Sequence, residues 1–145
     1  MTPDVNVLVA ASRSDHPHYA VAREWLEKAV EKAPVVAPLT LQPMVTASFL
    51  RLVTHPKIFV NPTPMPEAMR FVDALLDAPG ISAPALGDEW PIFKKLCIEK
   101  GLTANDLPNA WLAAAVIQQG EHLVTFDRDF RRLLARSQLT LLQAS

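Results

Sequence analysis

The chain has 145 residues, of which 50% are apolar and 20% charged, and its formal net charge at pH 7 is -1. That length suits one domain with a buried core, and the near-zero charge excludes a general attraction to nucleic acid, so RNA binding would require a local basic patch. One cysteine excludes an intrachain disulfide. No apolar run approaches the roughly 18 residues of a membrane-spanning helix. We therefore expect one domain over residues 1–145 in a cytoplasmic protein with no membrane partner.

The first half of the chain alternates apolar and amphipathic segments. Residues 2–11 hold a run rich in β-branched side chains and are predicted to form a buried strand, in which alternate residues share a face. Apolar residues at helical spacing predict a helix over Tyr19–Lys32, and residues 35–37 are predicted to form a second strand. Thr40 is predicted to cap a helix that ends near Val53, before a His-Pro pair.

The second half continues the alternation. Further helices are predicted from Thr63 or Pro64 to about Leu76, from Gly87 to Lys100, over Ala110–Ile117, and from Asp127 to Ala135. Further strands are predicted at 81–86, where proline limits the strand, at 123–126 and at 139–142. Strands alternating with helices predict an α/β sandwich with a mainly parallel sheet.

Three carboxylates lie near predicted element ends. Asp4 lies in the first strand, Asp106 opens the helix over Ala110–Ile117, and Asp127 follows the strand at 123–126. In a parallel α/β sheet, helix N-termini and the carboxyl ends of strands lie along one edge, where ligands usually bind. Mg²⁺ and Mn²⁺ prefer oxygen ligands, and such cations neutralise a scissile phosphate and activate water. The three acids therefore suggest a metal site for phosphodiester hydrolysis.

Three motifs occur in order along the chain: PDVNVLVAA near the start, SFLRLVTHPKIF in the middle, and NDLPNAWLAAAVIQQGEHLVTFDRDF near the end. Together they resemble the PIN-domain ribonucleases of the VapC toxin family, over nearly the whole chain. The resemblance implies a three-layer α/β/α PIN-like fold with a mainly parallel central sheet. It also implies the toxin of a type II toxin–antitoxin system, a homodimer neutralised by a VapB-type antitoxin. The implied activity is that of an endoribonuclease that uses Mg²⁺, with Mn²⁺ as a substitute, and leaves 5′-phosphate and 3′-hydroxyl ends on RNA.

The resemblance also assigns residues to a site. Asp4 is the first metal-site carboxylate and Asp127 the last, while Asp129 is an auxiliary acid or a structural cap. Asn6 and Asn109 are expected to orient water or a neighbouring carboxylate.

Two positions depart from the family pattern. Asn109 stands where the family usually has an Asp, and Thr46 stands where a Glu is usual in the second helix, with Gln42 one turn before it. Asp106 lies about one helical turn before Asn109, and we expect it to supply the missing charge. Thr46 and Gln42 are expected to hold water through hydrogen bonds. Three nearby acids in place of four predict weaker cation affinity.

Two basic and two aromatic residues are candidates for RNA contacts. Arg51 and Arg128 are hypothesised to bind substrate phosphates, with a solvated surface position as the alternative for Arg51. Trp111 and Phe126 lie inside apolar segments, which favours core positions over base-stacking platforms.

Two other functions compete with this interpretation. The absent Glu and the presence of Asn109 are compatible with a PIN-like protein that binds RNA or antitoxin without cleavage. The other alternative is a different phosphoryl-transfer domain. A haloacid-dehalogenase-like phosphatase would have DxD after the first strand, where this chain has DVN, and a receiver would have a lysine after a late strand, which TFDRD lacks.

Overall fold

In the computed structural model, residues 1–143 are described and form five strands and six α-helices. The strands are β1 (Thr2–Pro3), β2 (Leu39–Thr40), β3 (Ile81–Ser82), β4 (Leu123–Thr125) and β5 (Leu139–Leu141). The α-helices are α1 (Val5–Ser12), α2 (Tyr19–Lys32), α3 (Pro43–Val53), α4 (Met65–Asp77), α5 (Trp90–Lys100) and α6 (Leu107–Gln118). Short 3₁₀ helices cover Ala104–Asp106, Arg128–Arg132 and Arg136–Gln138. Residues 144 and 145, the last two of the predicted domain, lie outside the described residues.

The strand pairings of the described residues are all parallel. β4 lies between β1 and β5, with Pro3 opposite Val124, and β2 pairs with β3. The backbone N–H of Thr40 donates to the carbonyl of Met1 at 2.8 Å, which joins the two sheets at β1 and β2. Because β1 and β4 run in the same direction, their carboxyl ends lie side by side. The predicted α/β class with a parallel sheet is confirmed.

The strand predicted over residues 2–11 is wrong beyond Pro3. The chain turns into α1 at Asp4, whose Oδ1 accepts a hydrogen bond from the N–H of Val5 at 2.7 Å and so caps the helix. Val7 to Ala11 are all buried. A helix buried on every side has no polar face, so its sequence lacks the periodicity that separates a helix from a buried strand.

The strand predicted at 35–37 is also wrong. Residues 33–36 form a turn, in which Val35 and Val36 are 84% and 72% exposed. The strand is Leu39–Thr40, so Thr40 is not a helix cap, and Gln42 is the N-cap residue of α3. Pro43 occupies the first position of that helix, where its missing N–H leaves no hydrogen bond unmade.

The remaining elements follow the predictions with shifted ends. The bounds of α2 are as predicted, whereas α5 starts at Trp90 and the strand predicted at 81–86 is limited to Ile81–Ser82. The basic helix predicted over Asp127–Ala135 is replaced by the short 3₁₀ helix Arg128–Arg132.

The buried apolar side chains form one core cluster. Helices α1 and α6 supply much of it, since Val7–Ala11 and Leu112–Val116 are almost fully enclosed. Both helices begin at the edge where β1 and β4 end, so the core fixes the position of their first turns at that edge. Within residues 1–143, no helix combines the length and the apolar character needed to cross a membrane.

Candidate active site

The hydroxyl of Thr125 connects the polar side chains at the ends of β1 and β4. It is fully buried, and its Oγ1 donates to Asp4 Oδ2 at 2.6 Å. It also accepts from Asn6 Nδ2 at 3.1 Å and from the backbone N–H of Asp127 at 3.0 Å. Asn6 Oδ1 in turn accepts from the N–H of Phe126 at 3.3 Å. Asp4 and Asn6 were expected to share a strand face, and they meet here as the cap and first turn of α1 instead.

Asp127 is held from two sides. Its Oδ1 accepts from the N–H of Asp129 at 2.8 Å, which caps the following 3₁₀ helix. Its Oδ2 accepts from Asn109 Nδ2 at 3.2 Å, so the first turn of α6 faces the end of β4. The carboxylate of Asp129 itself belongs to an exposed residue. In this arrangement Asp129 acts on Asp127 through its backbone.

The two carboxylates influence each other electrostatically. Asp4 is only 5% exposed, and this burial raises its pKa above the ordinary value. Hydrogen bonds from Thr125 and Val5 oppose that rise, while the negative charge of Asp127 adds to it. A cation between the carboxylates would relieve both the loss of solvent and the repulsion. We therefore define Asp4 and Asp127 as the acidic pair.

The oxygen atoms of the acidic pair fit a hard divalent cation. Each of the four carboxylate oxygens accepts one of the hydrogen bonds described above, which leaves acceptor capacity on each atom. Mg²⁺ commonly binds one or two carboxylates and completes its coordination with waters and substrate phosphates. Within residues 1–143, no group of three or more His, Cys, Asp or Glu side chains is arranged to hold a metal ion. The site thus offers two acids.

Asp106 does not contact the acidic pair in this structure. Its Oδ1 lies 3.4 Å from Arg132 Nη2, and its Oδ2 accepts from the N–H of Thr103 at 3.4 Å within a capping box. The expected cluster of three acids is therefore not assembled here. The physical reason is local: the carboxylate accepts the N–H of Thr103 in the capping box of the 3₁₀ helix that precedes α6, and its other oxygen lies beside Arg132.

The residues proposed to replace the missing Glu also lie differently from expectation. Gln42 is fully buried and forms two hydrogen bonds with Gln119, at 2.6 and 3.2 Å. Its amide is therefore not free to hold water beside Asp4. Thr46 is half-buried on α3, and Arg51 is exposed in the last turn of the same helix. Water binding by Thr46 and phosphate binding by Arg51 remain predictions.

A large apolar cavity opens beside the acidic pair. It measures about 940 Å³, and Asp4 and Asn109 both line it. Trp111, expected in the core, is 41% exposed and lines this cavity, so that prediction is wrong. The indole Nε1–H of Trp111 donates to Glu89 Oε1 at 2.9 Å.

Glu89 is a buried acid that the sequence reasoning missed. It is 5% exposed, and its Oε2 accepts from the N–H of Gly87 at 2.7 Å. Burial acts to raise the pKa of its carboxyl, but the hydrogen bonds from Trp111 and Gly87 outweigh burial and hold the pKa below its usual range. Glu89 is therefore ionised at neutral pH. No motif marks it, because its partner lies 22 residues away in the sequence.

A second, smaller pocket of about 400 Å³ lies at the ends of β4 and β5, and so on the flank of β4 opposite to β1 and Asp4. His18, Phe126, Arg128 and Arg131 line it, and the rings of His18 and Phe126 stack with centroids 4.9 Å apart. Phe126 directly precedes Asp127, so this basic pocket adjoins the acidic pair. The prediction that Arg128 binds phosphate is compatible with this position.

The architecture is that of an α/β domain with an acidic pair at the carboxyl ends of adjacent parallel strands. The sequence profile of the PIN domain family matches residues 1–134. Ribonuclease VapC25 of Mycobacterium tuberculosis is 36% identical over 130 residues, which cover 89% of each chain. Ribonuclease VapC31 of the same organism is 37% identical, with the same coverage. The chain therefore belongs to the PIN-domain family and, within it, to the VapC ribonucleases.

A solved structure supports the same fold. The crystal structure of VapBC2 from Rickettsia felis, bound to a DNA fragment from its promoter, matches with a TM-score of 0.68 and 17% identity, over 98% of both chains. PIN-domain VapC nucleases are hydrolases that generally depend on a divalent metal. The oxygen-rich acidic pair is compatible with that dependence.

Proposed function

We propose that this protein is the toxin of a type II toxin–antitoxin system and that it cleaves RNA phosphodiester bonds as an endoribonuclease. The observation that carries the proposal is the acidic pair, which the buried hydroxyl of Thr125 connects at the ends of β1 and β4. The relatives that are 36% and 37% identical, both named ribonucleases, support the same activity.

The acidic pair is proposed to hold Mg²⁺, with Mn²⁺ as a substitute. When bound, the cation supplies charge neutralisation for the scissile phosphate and lowers the pKa of a bound water. Thr125 and Asn6 keep the Asp4 carboxylate oriented, and Asn109 does the same for Asp127.

Asp106 is proposed as a third acid, which reaches the cation only when its ion pair with Arg132 breaks. Its side chain is 41% exposed and the distance to Arg132 is 3.4 Å. An ion pair of this kind contributes about 0–1 kcal/mol, so its loss costs little. Replacement of Asp106 should therefore reduce cleavage less than replacement of Asp4 or Asp127.

RNA is the proposed substrate, and Arg128 in the basic pocket is the proposed phosphate contact. A VapB-type antitoxin is the proposed partner, since the matching solved structure is a VapBC complex. We further propose a homodimer, a cytoplasmic location and a single domain over the whole chain, in agreement with the single core cluster.

A protein that binds RNA without cutting it is the second candidate. Asn109 beside Asp127 favours it, because the centre then has two acids where the family usually has more. The two candidates differ in one respect, which is metal-dependent cleavage.

The test is cleavage of a mixed pool of structured RNA, including tRNA, with Mg²⁺, Mn²⁺ or EDTA. We expect metal-dependent cleavage by the native chain, reduced by a factor of about 100 or more in Asp4→Asn and Asp127→Asn, as for loss of a main electrostatic stabiliser. Asp73→Asn removes an exposed carboxylate on α4 and serves as the control that should cut normally. RNA binding without cleavage in every metal would overturn the nuclease in favour of the second candidate.

A further inference from the structure

The apolar cavity reaches Asp4, one member of the acidic pair. Asp4 and Asn109 lie in its wall, while most of the remaining wall comes from apolar side chains of α3, α5 and α6. A group that enters the cavity therefore lies next to the atoms proposed to act on the phosphate.

Two tryptophans give the cavity aromatic walls. Trp90 is 61% exposed, and its ring centroid lies 5.6 Å from that of Phe93, which also lines the cavity. Trp111 is 41% exposed. Large aromatic side chains are usually buried, so two exposed indoles beside one cavity indicate a binding surface.

The ring of Trp111 is fixed in orientation. Glu89 accepts its indole N–H at 2.9 Å and is itself fixed by the N–H of Gly87 at 2.7 Å. Glu89 loses most of its hydration on burial, and this is costly unless its hydrogen bonds are made. The bonds from Trp111 and Gly87 compensate for that loss, and the first of them holds the indole ring in one position. Such support behind a partly exposed ring is typical of a binding site.

The charge of the wall limits what can occupy the cavity. Its ionisable lining residues, among those that the structure describes, are Asp4 and Glu89, both acidic. Away from the proposed cation at Asp4, the wall offers a phosphate only the negative charge of Glu89. The basic pocket with Arg128 and Arg131 lies on the other flank of β4. An uncharged, flat group attached to a phosphate chain fits both surfaces, because the group can enter the apolar cavity while the phosphates reach the basic pocket. An unpaired nucleobase has those properties, because its faces stack on aromatic rings and its phosphate extends away from it.

We propose that Trp90 and Trp111 form a subsite for an unpaired RNA base next to the acidic pair, and that Glu89 is the positioning residue for Trp111. The proposal rests on RNA being the substrate of the proposed nuclease. The subsite makes the enzyme selective for single-stranded or looped RNA, since a paired base cannot enter the cavity.

The test compares two probes of equal charge in EDTA, so that no cleavage takes place. One is single-stranded RNA of about eight nucleotides with A, C or U bases, and the other is an abasic ribose-phosphate chain of the same length. We expect the native chain to bind the base-containing probe more tightly, and Trp90→Ala or Trp111→Ala to lose about 5- to 100-fold of that affinity. Binding of the abasic probe should not change in either variant.

Ile98→Ala is the matched control, because Ile98 is on α5 and 70% exposed but does not line the cavity. It should retain the preference for bases. Equal binding of both probes by the native chain, or a preference retained in both tryptophan variants, would overturn the subsite. That result would favour an apolar segment of a protein partner as the occupant.

The role of Glu89 is tested by two further variants. Glu89→Gln keeps an oxygen that accepts the indole N–H, so it should retain most of the preference for bases, whereas Glu89→Ala should lose it. Circular dichroism and melting temperature check that both variants fold, and Trp111→Phe, which lacks the N–H, replaces Glu89→Ala if that variant is unfolded. Preference at the native level in Glu89→Ala, or in Trp111→Phe where it is used, would overturn the positioning role.

Failure of the subsite and failure of the nuclease give different results. Preference for bases in EDTA without metal-dependent cleavage overturns the nuclease and leaves the subsite standing. Metal-dependent cleavage without that preference overturns the subsite alone.

Discussion

Asn109 determines how much negative charge surrounds Asp127. Its amide donates to Asp127 Oδ2 at 3.2 Å, which stabilises that carboxylate without adding charge. A carboxylate at the same position would face Asp127 at similar distance and repel it in the absence of a cation. With a cation bound, the same carboxylate would be a further oxygen ligand. Asparagine at position 109 therefore favours the stability of the metal-free protein, whereas aspartate at that position would favour metal affinity.

We predict that Asn109→Asp lowers the melting temperature in EDTA and enlarges the rise produced by Mn²⁺. Ligand binding stabilises the folded state by RT ln(1 + [L]/Kd), so a tenfold gain in affinity adds about 1.4 kcal/mol at saturating cation. Thermal unfolding across a titration of MnCl₂ measures both quantities.

Asn105→Asp is the control for Asn109→Asp. It adds the same charge at an exposed position in the neighbouring 3₁₀ helix, and it should leave the Mn²⁺ response unchanged. A Mn²⁺ response in Asn109→Asp no larger than that of the native chain would show that residue 109 is not beside the cation.

At the same scale, two of the three acids expected in the site lie close to each other, whereas Asp106 lies apart beside Arg132. Asp4 and Asp127 stand in recognisable motifs, and the structure brings them to one hydroxyl. Thr125 and Glu89 were missed, because a hydroxyl in a strand and a lone Glu before a helix are common in any sequence. Their importance depends on partners that the fold brings close, Asp4 for Thr125 and Trp111 for Glu89.

At the scale of elements, the end of α6 and the start of α3 are joined by a pair of amides, of which Gln42 is fully buried and Gln119 half-buried. Gln42, the N-cap residue of α3, exchanges two hydrogen bonds with Gln119, the C-cap residue of α6. Because α6 carries Asn109 and Trp111 at its other end, this pair fixes a helix that contributes to both the acidic pair and the apolar cavity.

We predict that Gln42→Ala destabilises the protein by about 1–3 kcal/mol, because it leaves the amide of Gln119 without its partner. Urea unfolding measures the change. Gln118→Ala, at an exposed position in the last turn of α6, should stay within about 0.5 kcal/mol of the native chain.

Cleavage per folded molecule should stay near the native rate in Gln42→Ala, since the hydrogen bonds of the Gln42 side chain go to Gln119. If the variant were as stable as the native chain and yet lost metal-dependent cleavage, the original expectation that Gln42 holds water in the site would be restored.

Helices were predictable from the sequence where one face is polar and the other apolar. The bounds of α2, which has a polar and an apolar face, follow from periodicity alone. Helix α1 was predicted as a strand because its buried run Val7–Ala11 is apolar throughout and shows no helical period. Strand β2 was predicted too early in the chain because Val35 and Val36 have strong strand propensity, although they lie exposed in a turn. In both cases tertiary contacts decided the outcome, which one sequence does not reveal.

At the scale of the whole molecule, the net charge gives no general attraction to RNA. The chain carries 14 Lys and Arg against 15 Asp and Glu. Attraction to phosphates therefore depends on local clusters, and the basic pocket with Arg128 and Arg131 adjoins the acidic pair. A strand of RNA that crosses the site would contact the apolar cavity with a base on one flank and the basic pocket with phosphates on the other.

We predict that the salt dependence of RNA binding is shallow and is set by these arginines. For single-stranded RNA, each phosphate neutralised contributes about 0.7 to the slope of log affinity against log salt concentration. Arg128→Ala and Arg131→Ala should each reduce the slope by about that amount, and the double variant by about twice as much. Anisotropy titrations with labelled RNA in EDTA, from about 50 to 200 mM salt, give the slope without cleavage.

Arg70→Ala is the matched control for the arginine variants, since Arg70 is an exposed arginine on α4 and lines neither pocket. Its slope should equal that of the native chain. An equal loss of slope in Arg70→Ala would mean that RNA responds to the overall charge of the molecule. The basic pocket would then have no special role, and the proposed path of RNA across β4 would be wrong. A loss confined to Arg128→Ala and Arg131→Ala would instead fix the direction in which the phosphates leave the acidic pair.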